Sequence, residues 1–372
     1  MNIGILTFHS QLNYGGVLQC LALQIVLERM GHNVVVIDRE FEHQIRSIKA
    51  IYKDWTAKDF VKFLIKLVIC RPDALRWFRY ARTVRFVNKH LHLTPYSFKS
   101  WDDAPKKLGV DCIVVGSDQV WNGTWNDLGV YTLEGVPHSI PAIGYAISMG
   151  MTQLPENKLE VYRRASRRFS AVTVREKEAG ELLAQMGFVT KHVADPVLLM
   201  DWPQCLNEQN MELVCYFVGS EFAGNDVAQT LSAFHKKTGA QVNMFFQNYP
   251  VSRPHFPGVK VHYTAGPHEF LKAIASARFI ISDSFHALMF ACKFGKNIRV
   301  IRPSTQGGRQ QMFSRIGEFV REYGDFSCVA ASVSEALDSL VCGTGSSFDM
   351  KRIQQFVSES KLVLSTALET AI

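Results

Sequence analysis

The chain begins with MNIGILTFHSQLNYGGVLQCLALQIVLERMGHNVVVID (residues 1–38), and this stretch decides the predicted fold. Met1–Phe8 is an apolar strand, and Gln11–Gly16 is a turn. Val17–Met30 has the apolar spacing of an amphipathic helix, and His32–Asp38 is a β-branched second strand. Strand, helix and strand in this order form a βαβ unit, which predicts a parallel sheet with a right-handed crossover.

The same alternation continues along the whole chain. Further strands are predicted at residues 110–116, 139–147, 171–174 and 191–193, and a second series at 213–218, 241–246, 259–263 and 278–281. A chain of 372 residues exceeds the size at which one hydrophobic core usually stops growing. We therefore predict an α/β protein with two Rossmann-like domains, GT-B-like, and a cleft between them. The predicted parts are residues 1–200 with a basic helical insertion at about 42–92, residues 201–345, and a C-terminal helix in 346–372 that packs back on the first domain.

The composition excludes several classes of protein. Apolar residues make up 47% of the chain and charged residues 20%, which is typical of a packed globular protein and not of a disordered one. No basic leader opens the sequence, and no apolar run approaches the roughly 20 residues that span a bilayer, so we expect a cytoplasmic protein. The eight cysteines form no C-x-x-C pair, and the sequence has no metal-ligand spacing. We expect neither a metal nor another cofactor.

Positive charge is concentrated between residues 42 and 92. This segment has twelve Lys or Arg and four Asp or Glu, whereas the rest of the chain is close to neutral. Together with Trp55, Phe63, Trp77 and Phe78, these cations are typical of a helix that lies on a membrane surface. An ordinary helical insertion with a solvated basic face is the alternative. The segment contains no recognisable nucleic-acid-binding module, so we expect no nucleic-acid partner.

Polar residues follow two of the predicted strands of the first domain, where open α/β sheets bind their ligands. After the first strand, paired glycines let a ligand approach the backbone at the start of a helix. After the strand at 110–116, a polar cluster suits a hydroxyl-rich substrate, with a Trp ring to cover a sugar face. These acceptor or cleft candidates are Asn13, Tyr14, Gly15, Gly16, Ser117, Asp118, Gln119, Trp121 and Asn122. The alternatives are a tight turn without a ligand and, at Asp118, a helix cap.

Two further candidates, Arg175 and His286, also follow predicted strands. Arg175 comes directly after the strand at 171–174, where a guanidinium can bind a carboxylate or phosphate through two hydrogen bonds. His286 lies in IISDSFHA (residues 280–287), in which a strand turns into a helix within three residues. The N–H groups and dipole of a helix start attract anions, and a histidine there can donate to a phosphate or act as a general acid. The alternative is a capped helix with an incidental histidine.

The order and spacing of seven segments resemble the polysaccharide pyruvyl transferase family. The segments are NYGGVLQCLAL (13–23), VDCIVVGSDQVWN (110–122), IGYAISMG (143–150), VTVREKEAGELLAQMG (172–187), VADPVLLMD (193–201), PHEFLKAIASARFIISDSFHALMFA (267–291) and GRQQMFSRIG (308–317). Each segment alone is weak, but the combination is specific. The resemblance implies a GT-B-like fold and transfer of a pyruvyl unit from phosphoenolpyruvate onto two hydroxyls of a sugar, which forms a pyruvate ketal in surface polysaccharide.

The resemblance also implies how the donor is bound. Arg175 and His286 match positions that hold or activate phosphoenolpyruvate, and Ser282 and Ser284 lie in the same turn as the histidine. Many family members have Arg two residues before that histidine, where this chain has Ser284. Another cation must therefore help to bind the donor. The candidates are Lys296, Arg302 and Arg309.

Two side chains are candidates for the chemical steps: His286 as general acid or phosphate ligand, and Asp118 as the group that orients or deprotonates the acceptor hydroxyl. The family's acceptors are typically glycans on lipid carriers, which implies a polyprenyl diphosphate carrier and a place at the inner face of the cytoplasmic membrane. The nearest alternative is a GT-B glycosyltransferase that uses a sugar nucleotide. Such an enzyme needs an acidic residue for the nucleotide, whereas Gly295, Lys296 and Asn297 suit a phosphate better.

Overall fold

The computed structural model describes residues 1–40, 56–68, 72–203, 211–247, 257–303, 309–342 and 347–371. Two parallel β-sheets with helices packed on them follow one another along the chain. Within the described ranges, no helix is both long enough and apolar enough to cross a membrane. The architecture is α/β, with two Rossmann-like halves that face each other across a cleft.

The first sheet contains seven parallel strands. They are β1 (Asn2–Leu6), β2 (Asn33–Arg39), β3 (Leu93–Phe98), β4 (Cys112–Val115), β5 (Ala142–Ile147), β6 (Ala171–Val174) and β7 (Thr190–His192). Their order in the sheet is β3-β2-β1-β4-β5-β6-β7. Ile3 of β1 pairs with Val34 of β2 on one side and with Cys112 of β4 on the other. The order reverses between β1 and β4, and sheets of this kind bind ligands at such a switch point.

Helices accompany these strands on the way to the second half. They are α1 (Tyr14–Arg29), α2 (Ala57–Val68), α3 (Pro72–His90), α4 (Leu128–Tyr131), α5 (Leu159–Arg168), α6 (Lys177–Ala184) and α7 (Pro196–Leu199), with 3₁₀ turns at Trp101–Asp103 and Glu156–Lys158. The βαβ unit predicted from residues 1–38 is therefore present as β1, α1 and β2, which pair in parallel.

The second sheet repeats the same design. Its strands are β8 (Met211–Phe217), β9 (Val242–Phe246), β10 (Val259–Val261), β11 (Ala277–Ser282), β12 (Asn297–Ile301) and β13 (Val329–Ala330). Their order is β10-β9-β8-β11-β12-β13. The helices are α8 (Asn225–Thr238), α9 (Pro267–Ser276), α10 (Phe285–Lys293), α11 (Arg309–Tyr323), α12 (Val333–Val341) and α13 (Met350–Thr370), with 3₁₀ turns at Ser220–Ala223 and Phe326–Cys328. The switch point here lies between β8 and β11, directly before α10.

Helix α1 is buried along most of its length. The predicted amphipathic helix begins earlier than expected, at Tyr14, because the side chain of Asn13 caps it and accepts from the N–H groups of Gly15 and Gly16 at 3.1 and 3.3 Å. After the helix, Gly31 adopts a φ of +88°, in the left-handed region that glycine favours. Because α1 contacts α7 of the first half and α9 of the second, both of its sides lie against protein, which removes the polar face of an ordinary surface helix.

The sequence pattern does not predict β3, β12 or β13. β3 lies at the edge of the first sheet and contains Pro95. Proline has no N–H to donate to a neighbouring strand, so its presence argues against a strand in the sequence pattern, although an edge strand tolerates it. β12 contains Arg299, which is fully buried and donates from Nε to Ser339 Oγ at 2.7 Å. β13 has only two residues. Short strands with a proline or a buried cation lack the apolar run on which the prediction depends.

The last helix, α13, returns to the first half of the chain. It contacts β5 and α7, and Ser360 Oγ accepts a hydrogen bond from the backbone N–H of Ala194 at 2.8 Å. Leu364 and Leu368 of α13 are buried in the same core. Since α13 also contacts α11, this helix links the two halves of the protein.

The basic segment forms α2 and α3, which pack against each other with Phe63 edge-on to Trp77 at a centroid distance of 6.0 Å. Residues 41–55, which include Trp55, and residues 69–71 lie outside the described chain. Besides the side that packs on α3, helix α2 has another side that is exposed and apolar. Its side chains, which are between 43% and 82% exposed, are Phe60, Val61, Leu64, Ile65 and Val68. The described part of the protein does not cover this side.

Arg79 of α3 is fully buried where the two halves meet. Its Nη1 donates to the carbonyl oxygens of Phe246 and Gln247 at 2.8 and 2.9 Å, and its Nη2 donates to the carbonyl oxygen of Leu12. The guanidinium lies over the ring of Tyr14, 4.4 Å from its centroid. One arginine of the basic segment therefore joins the loops after β1 and β9, both of which reach the cleft.

We predict that Arg79→Met lowers the free energy of unfolding by about 2 kcal/mol or more, because it leaves buried carbonyl oxygens without their donor. Arg85→Ala is the control, since Arg85 lies on the same helix with an exposed side chain, and we expect a change within about 0.5 kcal/mol. Urea unfolding followed by circular dichroism measures both. Equal stability of the two variants would contradict a structural role for Arg79.

Candidate active site

A cavity of about 310 Å³ opens between the two sheets, at the carboxyl ends of their strands. One wall follows β1 and β4 and contains Phe8, Gln11, Asn13, Asp118, Gln119 and Trp125. The other wall comes from the second half and contains Val218, Gln247, Asp283, Ser284, Phe285, His286, Pro303, Phe313, Arg315 and Ile316. The candidates Asp118 and His286, which are far apart in the sequence, thus meet in one site.

The turn between β11 and α10 holds His286 in the cavity wall, with its side chain almost fully buried. Ser284 is the cap of α10, and its Oγ accepts from the N–H of Ala287 at 3.4 Å. Ser282 is fully buried, donates to the carbonyl oxygen of Tyr216 at 2.5 Å and accepts from the N–H of Ser284 at 3.1 Å. The two serines therefore shape the turn, and Ser284 also lines the cavity.

The backbone of Gly15 packs directly against the ring of His286. A Cβ atom at Gly15 would lie 2.3 Å from two atoms of the imidazole, Cγ and Nδ1. The neighbouring Gly16 is different, because a Cβ atom there would lie 3.5 Å from its nearest neighbour, an oxygen of Asp118. The glycine pair, which belongs to the first half, thus lies next to both catalytic candidates. Only at Gly15 does the ring of His286 leave no space for a side chain.

Arg175 is buried among three carboxylates. Its Nη1 donates to Asp195 Oδ2 at 2.7 Å, its Nη2 lies 3.4 Å from Asp118 Oδ1, and its Nε lies 3.8 Å from Glu176 Oε2. Burial opposes the charge of Arg175, but these carboxylates raise its pKa above the ordinary value. The guanidinium does not line the cavity; it contacts Asp118 and His286 from behind. The expectation that Arg175 grips an anion directly is not met, because its donors point at carboxylates of the protein.

His286 is neutral at pH 7 in this environment. Burial lowers the pKa of His286, and the cations Arg175 and Arg315 lower it further, whereas Asp118 and Asp195 act in the opposite direction. Its Nε2 lies 3.4 Å from Nη1 of Arg175, which is a donor only, so Nε2 is the acceptor. The imidazole is thus able to take up a proton, for example when an anion enters the cavity.

Asp118 follows β4 with a φ of +77°, which is uncommon for a residue with a side chain. Its Oδ1 accepts from the N–H of Gln119 at 2.9 Å. Burial would raise the pKa of Asp118, but the protonated form of His286 and the cations Arg175 and Arg315 lower it below the ordinary value. The side chain is therefore an ionised acceptor in the cavity wall, suited to orienting a hydroxyl group.

Arg315 of α11 is the cation that the sequence reasoning missed. It is buried and lines the cavity, with its guanidinium carbon 5.5 Å from the ring centroid of Phe285. Nη1 donates to Ser148 Oγ at 3.3 Å, and the amide oxygen of Gln119, in the orientation that satisfies its partners, accepts from both Nη atoms at 2.8 Å. Burial and the nearby Arg175 lower the pKa of Arg315 to about 10, so the side chain stays charged at neutral pH.

Arg315 lines the cavity, whereas the cations that the sequence had suggested do not lie there in the described structure. Lys296 lies beyond the far end of α10, whose last residue is already about 10 Å along the helix from His286, and just before the start of β12 instead of at its carboxyl end. Arg302 is exposed and lies over the ring of Phe313, 5.6 Å from its centroid. The side chain of Arg309 is outside the described part of the chain. Neither Lys296 nor Arg302 lines the cavity.

A signal for Arg315 existed in the sequence. It falls among Phe313, Ile316 and Phe319, which form the buried side of α11, so the arginine interrupts an apolar helix face. A charged residue at such a position is rarely buried without a partner or a role. Asp195 was missed for a different reason, since an Asp before a proline looks like a simple helix cap; it does cap α7, but its second oxygen binds Arg175.

Several acceptor candidates are structural. Trp121 was expected to cover a sugar face, but it is fully buried in the core and donates from Nε1 to the carbonyl oxygen of Tyr131 at 3.0 Å. Ser117 is buried and donates to Asp195 at 3.3 Å. Asn122 is buried and accepts from the N–H of Thr124 at 3.1 Å. These corrections share one cause: the loop after β4 folds inward and uses its own polar groups to fix its shape.

Of the remaining candidates of the first half, one has a structural contact and three line the cavity. Tyr14 is buried, stacks on Phe270 at a centroid distance of 4.7 Å and donates to the carbonyl oxygen of Ala265 at 2.9 Å, so it joins the two halves. Asn13, Asp118 and Gln119 line the cavity. Two aromatic rings line this wall, the buried Phe8 and the exposed Trp125, and the sequence reasoning did not single out Trp125.

A clamp between the halves fixes Arg315 relative to Arg175. Both oxygens of Glu318, one turn along α11 from Arg315, accept from the N–H of Lys177 at 2.9 and 3.1 Å. That N–H begins α6, two residues after Arg175. His192, Glu318 and Glu322 lie close enough to suggest a metal site among the described residues, but the ammonium group of Lys177 already contacts Glu322. The cluster thus already contains a cation, and its observed contacts join α6 to α11.

We predict that Gly15→Ala lowers the free energy of unfolding by about 1 to 3 kcal/mol and shifts the NMR signals of His286, because the new methyl group must displace the imidazole. Gly16→Ala is the matched control in the same turn, and we expect a change within about 0.5 kcal/mol. Urea unfolding and histidine-labelled NMR spectra measure both effects. If Gly15→Ala leaves the His286 signals in place, the packing of glycine against histidine is not what positions the ring.

Comparison with known proteins agrees with the resemblance found in the sequence. The family model for polysaccharide pyruvyl transferase matches residues 13–305, which is most of the chain and includes Asp118, Arg175 and His286. Arg315 lies just beyond the matched residues. A search among curated proteins returns no match.

A search among solved structures finds similar chains at low sequence identity. A UDP-GlcNAc 2-epimerase from Neisseria meningitidis, solved with bound UDP-GlcNAc, is 9% identical, with a TM-score of 0.52 and coverage of 99% of each chain. The glycosyltransferase SnogD from Streptomyces nogalater is 11% identical, with a TM-score of 0.43 and coverage of 100% of this chain and 99% of that chain. The calicheamicin glycosyltransferase CalG4 is 15% identical, with a TM-score of 0.42 and coverage of 100% and 98%. At these identities the likeness to the epimerase shows the fold alone, two Rossmann-like halves of the GT-B type.

Proposed function

Since this chain belongs to the polysaccharide pyruvyl transferase family, we propose that it transfers a pyruvyl unit from phosphoenolpyruvate to a sugar of a glycan and forms a pyruvate ketal. One observation carries the proposal: three residues with different charges line the same cavity. Arg315 is a buried cation, His286 is a neutral imidazole, and Asp118 is an ionised carboxylate. Anion binding, proton transfer and orientation of a hydroxyl are the three tasks that this reaction sets.

The second wall of the cavity suits the donor. Phosphoenolpyruvate carries a phosphate and a carboxylate on a three-carbon frame, and a space of about 310 Å³ accommodates a molecule of this size. Arg315 supplies a planar, permanently charged group for one of these anions. The N-terminus of α10, which Ser284 caps at the cavity wall, adds the positive end of a helix dipole. Arg315 thus takes the part that the Arg expected at Ser284 has in other family members.

The reaction requires three proton transfers, of which the residues can perform two. A proton added to the methylene carbon of the donor leaves a cationic centre at the carbon that bears the phosphate oxygen. The first sugar hydroxyl adds to that centre and passes its proton to the general acid, which the first transfer has left deprotonated. The second hydroxyl then displaces phosphate, which accepts the proton of that hydroxyl, and the ketal ring closes. Fixed charges around the cavity stabilise the charge as it moves from carbon to phosphate.

His286 and Asp118 have different parts in these steps. A phosphate that enters beside the neutral His286 raises the pKa of the imidazole, so the ring acts as general acid or as a donor to the phosphate. Asp118 accepts the hydrogen bond of the attacking hydroxyl; its low pKa makes it an orienting group more than a strong base. Arg175 keeps both side chains in place, with contacts of 3.4 Å to each.

We predict that Arg315→Met raises the Kd for phosphoenolpyruvate about 100-fold, because it removes the cation from the cavity wall. Arg302→Met is the control at an exposed arginine outside the cavity, and we expect a change within about twofold. Isothermal titration measures both. An Arg315 variant that binds phosphoenolpyruvate as well as the control would contradict the donor site.

The same proteins test the reaction. Incubation with phosphoenolpyruvate and a panel of lipid-linked glycans should release phosphate together with the mass gain of a ketal, and His286→Ala should slow the release about 100-fold or more. UDP-sugars provide the alternative donor. Thermal protection by UDP-sugars but not by phosphoenolpyruvate would overturn the assignment of the donor. Near-normal turnover of His286→Ala would overturn the role of His286 as general acid.

The exposed side of α2 supports a second part of the proposal, contact with an anionic membrane surface at the inner face of the cytoplasmic membrane. Lys58, Lys62 and Lys66 recur every four residues on α2, beside the exposed apolar side. A helix whose apolar side is exposed within the described residues and flanked by lysines matches the chemistry of an anionic bilayer interface. A membrane location fits an acceptor carried on a polyprenyl diphosphate, because the carrier stays in the bilayer.

We predict that the triple variant Phe60→Ser, Leu64→Ser, Ile65→Ser lowers co-sedimentation with vesicles of phosphatidylglycerol and phosphatidylcholine at least about tenfold, since it removes apolar area from the contact. Val189→Ser is the control at a valine that is 94% exposed elsewhere on the molecule. Unchanged vesicle binding would contradict the membrane contact. Loss of a dimer in the triple variant, measured by analytical ultracentrifugation, would instead assign the surface to a second copy of the chain.

A further inference from the structure

Trp125 presents a large aromatic ring to water at the edge of the cavity. It is 56% exposed although it lines the cavity wall. One side of the indole stacks on Phe8, with ring centroids 5.6 Å apart and an angle of 28° between the planes. Phe8 in turn is buried and meets Tyr131 edge-on at 5.5 Å. The core thus holds Trp125 from one side and leaves the rest of the ring at the cavity wall, where a ligand can stack on it.

The loop that carries Trp125 is fixed by its own hydrogen bonds. Asn122 Oδ1 accepts from the N–H and the hydroxyl of Thr124 at 3.1 and 2.5 Å, and Asn126 Nδ2 donates to the carbonyl oxygen of Val120 at 2.6 Å. Trp125 lies between these anchored residues. Since the ring is held before any ligand arrives, a ligand that stacks on it loses little free energy to ordering the site.

The neighbours of Trp125 on the same wall are polar and rich in hydrogen-bonding groups. Gln11, Asn13 and Asp118 line the cavity from the same half of the chain, whereas Arg315 and His286 line it from the other half. Amides and a carboxylate pair well with hydroxyl groups, and an indole ring covers the C–H side of a flat, saturated ring. A pyranose has both properties. The opposite wall carries the cation that suits an anion.

From this arrangement we infer that Trp125 is the stacking platform of an acceptor subsite, on which a pyranose lies with its C–H side on the indole and its hydroxyls toward Asp118. The inference rests on the proposed function, to which it adds the place and the chemical class of the acceptor. It assigns the two walls of the cavity to two substrates, the sugar to the first half and the phosphorylated donor to the second. Trp125 then decides which sugars bind, because only a pyranose with an uninterrupted C–H side can lie flat on the ring.

Steady-state kinetics of three variants test the platform. Trp125→Ala should raise the KM for the glycan acceptor about 10- to 100-fold and leave the Kd for phosphoenolpyruvate within about twofold, because the stacking contact serves one substrate only. Trp125→Phe should recover most of the loss. Phe326→Ala is the control at an aromatic residue that is 43% exposed outside the cavity. An unchanged acceptor KM in Trp125→Ala would overturn the inference, as would an equal loss of donor binding.

A binding measurement keeps the test independent of turnover. Tryptophan emission of the whole protein should shift to the blue when tetrasaccharides of galactose, glucose, mannose or N-acetylhexosamines are titrated, and the shift should vanish in Trp125→Phe. If glycans cause the shift but phosphoenolpyruvate yields no ketal, the platform stands and the proposed reaction fails. If ketal forms but the shift is the same in Trp125→Phe, the reaction stands and the platform fails. A shift with UDP and with none of the glycans would overturn the sugar assignment.

Discussion

The ion pairs of Arg175 hold together the parts of the chain that form the cavity. This guanidinium follows β6, yet it binds Asp118 after β4 and Asp195 at the start of α7, and it contacts His286 of the second half. Glu176, the next residue, accepts from Ser148 Oγ, which in turn accepts from Arg315. A buried cation with several carboxylates is stable only when all partners remain in place, since removal of one leaves an uncompensated charge. The network therefore fixes the geometry of the site.

The two halves meet through side chains that are unusual for an interface between domains. Arg79 and Tyr14 fill it from the first half and are satisfied by carbonyl oxygens and an aromatic ring. Glu318 caps α6 from the other side. Because these contacts are directional, they set the distance between the walls more closely than apolar packing alone would. That distance decides whether the groups that we assign to the donor and to the acceptor can take part in one reaction.

The wall from the first half and the wall from the second half differ in charge. Asp118 and the amides face the cavity from one side. Arg315, the start of α10 and Asp283 face it from the other, and the carboxylate of Asp283 accepts from the N–H groups of Val218 and Gly219. Such a division suits a reaction between a neutral, hydroxyl-rich acceptor and an anionic donor. Arg175 does not disturb this division, because its charge is balanced by Asp195, Asp118 and Glu176 behind the cavity.

The sequence by itself determined the strand–helix alternation, the two-half architecture and the place of Asp118 and His286, because apolar periodicity is local and the carboxyl ends of parallel strands gather at one edge of a sheet. Tertiary structure alone decided the rest. Arg315 and not Lys296 reaches the cavity because α11 packs its buried side against the cleft, and Trp125 and not Trp121 is exposed because the loop after β4 turns inward. Which side of a helix or loop meets a partner across a cleft depends on contacts between residues far apart in the chain, and local patterns carry no information about them.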